Sequence, residues 1–283
     1  NILLFADDIK LFLDVRSVED CKSLQWNLDI LCSWCDDNRL TLNKDKCFIV
    51  SYTRKQEPLM FNYQLSNIDL NRKDSFKDLG IIFDAKFTFI EHITNIVSQA
   101  YKMYGFICRN SKEFSDVRTL CTLYYVLVRS RLEYGVIIWN PIYENHINSM
   151  ERVQRKFLKF VAYRLDNVYP ERNFDHVALL NRFNFLSLKT RRIIIIVKMI
   201  FNLLNNKIDA PSLLSKINFK VPRRASRQET LFYCSVTRTN VLRKSPIHLM
   251  CDFFNRIAKK CDVNCSKFSV VKNLIVSLEC LWD

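Results

Sequence analysis

Near residue 89, the apolar residues of this chain change from short runs with strand character to long repeats with helical spacing. Before that point, residues 2–13 form two apolar runs around a polar break, and residues 62–71 alternate between polar and apolar, with a turn near residues 66 and 67. After it, residues 89–109, 116–131 and 147–163 place apolar side chains three or four positions apart. The pattern therefore predicts an α+β portion followed by a helical one.

Two further signals fill in this outline. Ser17 is a typical helix N-cap, and acidic residues follow it at Glu19 and Asp20, so a helix is expected from there to near residue 38. Residues 48–53 have strand character. Beyond residue 166 the pattern predicts a strong helix over residues 188–205 and further helices near residues 250–260 and 267–281.

Asp7 and Asp8 occupy the polar break between the first two apolar runs. A tight turn at this point presents both carboxylates at the tip of a hairpin. Adjacent carboxylates repel each other unless a cation lies between them, and oxygen ligands suit Mg²⁺ or Mn²⁺. Phosphoryl transfer by two metal ions is the chemistry that most needs such a pair. The alternative is an ordinary polar turn with solvated acids.

The residues around this pair resemble the palm of reverse transcriptases, the RNA-directed DNA polymerases. Phe-Ala-Asp-Asp at residues 5–8 is followed by a helix and then by Leu-Thr-Leu-Asn-Lys-Asp-Lys at residues 40–46. Residues 76–84 and 89–93 resemble the hairpin and first thumb helix of the non-LTR (LINE-type) retrotransposon enzymes. Further similar segments are residues 130–135, 139–141 and 151–157. Residues 208–211 and 238–240 are similar to insect elements of the jockey type.

The resemblance implies an α+β fold in three parts. Residues 1–85 are a partial palm with an acid-tipped β-hairpin, a helix and strands. Residues 86–165 are an all-helical thumb, and residues 166–283 are a basic, mostly helical C-terminal region. In these enzymes the fingers and a third metal-binding carboxylate precede the acidic hairpin. We therefore expect the C-terminal half of a polymerase, with little or no activity by itself.

The resemblance also assigns roles to individual residues. Asp7 is the metal ligand and Asp8 its less essential neighbour, with Mg²⁺ or Mn²⁺ bound only weakly because two carboxylates are an incomplete set. Lys46 matches the lysine that acts as general acid toward the leaving pyrophosphate. Lys77, Leu79 and Gly80 match the primer-holding hairpin. Alternatively, Lys46 lies in a solvated turn and Gly80 is a structural turn residue.

Charge divides the chain unevenly. Residues 1–100 contain 12 Lys/Arg and 15 Asp/Glu, whereas residues 101–283 contain 31 Lys/Arg and 14 Asp/Glu. A basic portion next to an acidic one favours a polyanion-binding module beside a metal site. Within the helix of residues 147–163, a basic stripe follows helical spacing: Arg152, Arg155, Lys156 and Lys159. Such a stripe can lie along phosphates and release counterions, or it can be a solvated helix face.

Arg223, Arg224 and Arg227 form a second basic group, in a proline-containing stretch that contacts nucleic acid or is a solvated loop. The expected partners are an RNA template and a DNA primer as an RNA–DNA duplex, together with dNTP in the intact enzyme. Two alternative functions are a nucleic-acid-binding module without catalysis and a basic helical interaction protein.

Eleven cysteines occur without a secretory signal, so we expect reduced thiols, no disulfide-linked partner and a location in the cytoplasm or the nucleus. Cys32 and Cys35 have C-x-x-C spacing but lie within the first amphipathic helix, which indicates a buried structural role. The set His248, Cys251, Cys261 and Cys265 departs from zinc-knuckle spacing, and no zinc site is predicted. The longest apolar run, near residues 193–201, is too short to span a membrane.

Overall fold

A computed structural model describes residues 1–113, 116–171, 174–220, 230–237, 239–260 and 267–277. The chain forms two compact units, a first unit Asn1–Phe87 and a second unit Thr88–Asp283. The first contains short strands and one long helix, and the second is mostly helical. The general α+β class predicted from the sequence is therefore confirmed, while the identities of palm and thumb stay predictions.

The first unit begins with an antiparallel hairpin of β1 (Ile2–Phe5) and β2 (Asp8–Leu11). Helix α1 (Val18–Asp37) follows and begins at the predicted N-cap Ser17, where the structure shows a reciprocal capping box with Asp20. Burial of Cys21, Cys32 and Cys35 defines the inner face of α1. The structural role predicted for the C-x-x-C pair is confirmed, and burial raises the pKa of the Cys35 thiol.

Short strands complete the first unit. A 3₁₀ turn at Lys44–Lys46 leads into β3 (Phe48–Ile49), which pairs in parallel with β6 (Asn71–Arg72). β4 (Gln64–Leu65) pairs with β5 (Ile68–Asp69), and β7 (Ser75–Asp78) pairs with β8 (Ile81–Asp84), both antiparallel. The strand predicted over residues 48–53 is thus shorter than expected, whereas the turn predicted at residues 66 and 67 is confirmed.

Two sets of contacts join these pieces. The Phe76 ring lies 5.3 Å from Phe48 and 5.8 Å from Phe83 between ring centroids, so β3 packs on the β7–β8 hairpin. Gln25 of α1 donates to the Gln64 carbonyl and accepts from the Gln64 amide, each at 2.9 Å. These two bonds satisfy a backbone edge of β4 and hold it against α1.

The second unit is a succession of helices. Its first half contains α2 (Ile90–Asn110), α3 (Val117–Leu123), a π-helical segment (Tyr124–Arg129), α4 (Ser130–Glu133), α5 (Val136–Trp139) and α6 (Glu144–Asp166). Its second half contains α7 (His176–Arg182), α8 (Leu188–Leu204), α9 (Pro211–Leu214), α10 (Asn240–Arg243), α11 (Pro246–Ala258) and α12 (Phe268–Ser277).

The long helices agree with the predicted ones to within a few residues, except that the helix predicted over residues 116–131 contains the π-helical segment. Residue spacing alone does not distinguish the wider π turn from an α turn. Residues 278–281 of the last predicted helix lie outside the described residues. α11 also begins earlier than predicted, at Pro246, where a proline is favourable in the first turn of a helix. None of the described helices combines the length and apolar composition needed to cross a membrane.

The core of the second unit has two centres. In the first, the rings of Tyr124 and Phe157 stack at 4.2 Å, and Phe185 packs beside them. In the second, α8 packs against α11 and α12 through fully buried aliphatic and aromatic side chains, which include Val197, Phe254 and Val271. Helix α6 therefore has one face in the first core, and its opposite face is available for charged residues.

Candidate catalytic hairpin and basic helix

The two predicted acids lie at the tip of the first hairpin. Phe5 pairs with Asp8, so Ala6 and Asp7 form a two-residue turn, and both carboxylates are exposed. Ala6 has a φ of 51°, in the left-handed region, which costs a residue with a Cβ about 1 kcal/mol. The turn therefore holds Asp7 and Asp8 at a strained bend, and strained backbone of this kind is often found at functional sites.

A salt bridge connects this hairpin to the β7–β8 hairpin, whose sequence resembles a primer-holding hairpin. Lys10 Nζ lies 2.6 Å from an Asp78 carboxylate oxygen, and both side chains are partly buried. Asp78 ends β7, directly before Leu79 and Gly80. Since Lys10 is two residues after Asp8 in the same strand, the two side chains share a face of β2. The face that carries Asp8 is therefore the one beside the β7–β8 hairpin.

Leu79 and Gly80 form the two-residue turn of the β7–β8 hairpin, with φ values of 44° and 88°. Positive φ at both central residues is the requirement of the turns that best match strand twist. Gly80 meets this requirement without strain, whereas Leu79 does not, and its side chain is about half exposed. Lys77, which pairs with Ile82, is also exposed.

Lys46 ends the 3₁₀ turn, and its side chain is exposed. Its amide donates to the Asn43 carbonyl at 3.1 Å, while the Asn43 side chain accepts from the Asp45 amide. These bonds fix the backbone of residues 43–46, the second half of the motif at residues 40–46. Within the described residues, no ion pair joins Lys46 to Asp7 or Asp8.

The donor set at the hairpin suits a divalent cation but is small. Asp7 and Asp8 supply exposed carboxylate oxygens. Hard oxygen ligands of this kind are the ones that Mg²⁺ and Mn²⁺ prefer. Over the part of the chain that the structure describes, no group of three or more His, Cys, Asp or Glu side chains converges. The hairpin thus fits part of a metal site.

In the second unit, the four predicted basic residues of α6 line one open pocket of about 530 Å³. Its other lining residues are Tyr169, Pro170 and Glu171, which follow the end of α6. Arg152, Arg155 and Lys156 are exposed, whereas the Lys159 side chain is buried. Asn167 ends α6 with a φ of 55°, which turns the chain back along the helix.

Direct contacts hold the pocket in shape. Lys159 Nζ donates to the Glu171 carbonyl at 2.5 Å, so this buried cation ties the 169–171 segment to α6. Tyr101 and Tyr104 of α2 flank the helix: the Lys156 ammonium lies 4.9 Å from the Tyr101 ring centre, and the Tyr104 hydroxyl donates to the Lys156 carbonyl at 3.3 Å. Burial raises the pKa of Tyr101, while the Arg152 guanidinium opposes this shift.

His176, at the start of α7, lies close to this basic helix. Both of its ring nitrogens are buried, and neither has a hydrogen-bond partner among the described residues. Burial lowers the pKa of His176, the Arg155 guanidinium lowers it further, and the Asp175 carboxylate acts in the opposite direction. The folded chain therefore keeps this imidazole neutral at pH values where the unfolded chain protonates it.

Stability should consequently fall with pH below the ordinary histidine value. Between the lowered pKa of the folded chain and the value near 6.5 in the unfolded chain, the unfolded state binds more protons, so acidification favours unfolding. We expect His176→Phe to make the thermal midpoint fall less between pH 8 and pH 5 than in the parent chain. Val177→Phe, which adds a ring at the adjacent exposed position, should leave that fall unchanged. Equal falls in all three proteins would contradict this role of His176.

Sequence reasoning missed four residues of these sites. Lys10 and Asp78 are 68 positions apart, and no local pattern reports their contact. Tyr169 and Glu171 lie in a connecting segment without periodicity. The local signal that could have indicated Tyr169 is the Tyr169–Pro170 pair shortly after the basic helix. Arg223, Arg224 and Arg227, together with Cys261 and Cys265, lie outside the described residues.

Comparisons with known proteins agree with the motif analysis. The chain is 26% identical over 167 residues to the RNA-directed DNA polymerase from mobile element jockey of Drosophila melanogaster, which covers 57% of this chain. It is 25% identical over 162 residues, 56% of the chain, to the probable RNA-directed DNA polymerase from transposon BS of the same species. The jockey polymerase of Drosophila funebris is 26% identical over 169 residues, again 57% of the chain.

In each of these relatives the match spans 18% of the relative's own length. No family model matches the chain, and no solved structure matches it. The chain is therefore similar to the reverse transcriptases of non-LTR mobile elements, and the resemblance predicted from the motifs is confirmed.

Proposed function

We propose that this chain, whose curated relatives are RNA-directed DNA polymerases of jockey-type mobile elements, supplies part of the catalytic centre and of the nucleic-acid-binding surface of such a polymerase. The observation that carries the proposal is the position of Asp7 and Asp8. Both carboxylates lie exposed at a strained turn, and the Lys10–Asp78 bridge holds this hairpin beside the Leu79–Gly80 turn.

In this proposal Asp7 and Asp8 hold Mg²⁺ or Mn²⁺, weakly in the chain alone. When bound, a divalent pair supplies positive charge to the attacking and leaving oxygens of phosphoryl transfer. Asp7 is the principal ligand and Asp8 completes the acidic tip. Lys46 is the proposed general acid, whose ammonium group donates a proton to the departing pyrophosphate.

The nucleic-acid surface has two parts. The β7–β8 hairpin, with Lys77, Leu79 and Gly80, contacts the primer strand, and the exposed cations of α6 contact phosphates. The polymerase as a whole takes an RNA template, a DNA primer and dNTP, and acts inside the cell. A chain with two metal-binding carboxylates is expected to incorporate little or no dNTP by itself, since Mg²⁺ usually needs further ligands such as substrate phosphates.

A second candidate function is nucleic-acid binding without catalysis. The basic pocket on α6 favours it, because that pocket belongs to a separate unit from the acidic hairpin. The two functions differ in whether the hairpin binds metal.

Metal binding at the hairpin can be measured on the chain as it is. Paramagnetic Mn²⁺ at a concentration below that of the protein should broaden the amide NMR signals of residues 6–9 most strongly and those of the adjacent β7–β8 turn less, because paramagnetic broadening falls steeply with distance. Asp7→Asn/Asp8→Asn should abolish that broadening, whereas Asp45→Asn, which changes an exposed carboxylate in the 3₁₀ turn, should preserve it. If the double variant keeps the broadening, the ligand assignment is wrong, and the non-catalytic function is favoured.

A further inference from the structure

We propose that the pocket of α6 receives an unpaired nucleotide of a nucleic-acid strand, with its phosphate on the exposed cations and its base against Tyr169. This proposal rests on the proposed function and specifies the form of ligand that this surface takes. It differs from a surface that only follows the backbone of a duplex.

The first argument is the shape and charge of the pocket. The pocket is open to solvent, and its volume of about 530 Å³ is in the range of small-ligand pockets, which a single nucleotide matches. Four cations and one carboxylate line it. Arg152 and Arg155 have no ion-pair partner among the described residues, so their guanidinium groups are available for bidentate contact with a phosphate.

The second argument is the aromatic wall. The Tyr169 side chain is 58% exposed, and its ring lies 6.1 Å from that of Tyr163, which is 44% exposed. An exposed aromatic face beside a basic groove is the arrangement with which proteins bind single strands, because every base offers a π face. In a duplex those faces are already stacked on neighbouring bases, so an aromatic wall adds little to duplex binding.

The third argument is preorganisation. The bond from the Lys159 ammonium to the Glu171 carbonyl, together with the left-handed turn at Asn167, fixes the 169–171 segment against α6. Tyr169 and the two arginines, Arg152 and Arg155, therefore line the same pocket before a ligand arrives. Less conformational entropy is then lost on binding. Lys159 acts here as a positioning residue, and Arg152, Arg155 and Lys156 contact the phosphate.

The test uses the full chain and fluorescence anisotropy with two labelled probes of equal length, a single-stranded oligo(U) RNA and an RNA–DNA hybrid. Tyr169→Ala should weaken single-strand binding about 5- to 100-fold and leave hybrid binding unchanged. Arg152→Gln/Arg155→Gln should weaken both and reduce the slope of log affinity against log salt by about 1.4 to 1.8. Tyr143→Ala, at a similarly exposed tyrosine outside the pocket, is the control for the aromatic substitution.

Each other result is informative. If Tyr169→Ala leaves single-strand affinity unchanged while the arginine variant lowers it, the nucleotide pocket is wrong and backbone binding by the proposed polymerase surface survives. If neither probe binds at low salt, the nucleic-acid part of the proposed function fails as well. If a phosphotyrosine peptide competes with the RNA and its binding also depends on Tyr169, the pocket recognises phosphopeptides, and the nucleotide assignment is overturned.

Discussion

Phe157→Ala is expected to lower the free energy of unfolding of the second unit by about 3–5 kcal/mol, the usual range for removing a buried phenylalanine side chain. Phe157 is fully buried in α6, and its ring stacks on Tyr124 at 4.2 Å between centroids with 15° between the planes. Truncation removes this stacking and leaves a cavity that the surrounding helices fill only in part. Chemical denaturation with a probe in the second unit measures the loss.

Phe106→Ala is the matched control, because that side chain of α2 is 46% exposed and its loss creates no enclosed cavity. If both variants lose a similar amount of unfolding free energy, the buried face of α6 does not stabilise the unit more than an exposed side chain does. Since the same helix carries the arginines of the pocket, Phe157→Ala should also weaken RNA binding at temperatures near its lowered midpoint.

Glu133→Gln is expected to destabilise the second unit by about 2–4 kcal/mol, because it removes the negative charge between two partly buried arginines. The Glu133 carboxylate accepts two hydrogen bonds from Arg191, one of them at 2.9 Å, and lies 3.8 Å from Arg129. The bond to Glu133 raises the pKa of Arg191, whereas burial and the neighbouring Arg191 lower that of Arg129. Without the carboxylate, two like charges face each other with less water to screen them.

The comparison is with Asp166→Asn, which removes an equally bidentate arginine contact, to Arg182, at an exposed position. Its effect on the denaturation midpoint should be much smaller, because ion pairs in water contribute little. If the two variants behave alike, burial of the Glu133 cluster does not amplify its contribution. High salt should reduce the effect of Asp166→Asn more than that of Glu133→Gln.

These contacts give a physical reason for the motifs of the second unit. Glu133 pairs with Arg191, and Gly135 takes a φ of 64° at the start of α5. Trp139 donates from its ring nitrogen to the Tyr134 carbonyl at 2.8 Å. Glu151 accepts from the Leu188 and Lys189 amides at the start of α8, where an anionic group is favourable. These motif residues of the second unit therefore build its helical scaffold.

The first unit was predictable where local chemistry decides the structure. The capping box of Ser17 and Asp20 and the turn at Ser66 and Asn67 depend on residues within a few positions of each other, so the sequence indicates them directly. The acidic hairpin belongs to the same class. Its connection to the β7–β8 hairpin does not, because the Lys10–Asp78 contact depends on how distant strands pack.

The basic helix illustrates a second limit. Helical spacing placed Arg152, Arg155, Lys156 and Lys159 on one stripe, and all four do line one pocket. Spacing could not reveal that Lys159 is buried and bonded to the Glu171 carbonyl, because that contact requires the chain to reverse at Asn167. The aromatic wall at Tyr169 depends on the same reversal.

The first strand has a consequence for how the chain behaves in solution. Ile2, Leu3, Leu4 and Phe5 are 50–66% exposed, and among the described strands β1 pairs with β2 alone. A short apolar strand with an open edge is a template for cross-strand association between molecules. Concentrated samples should therefore tend toward aggregation through this edge, and the exposed charges of Asp7 and Asp8 at the hairpin oppose that tendency.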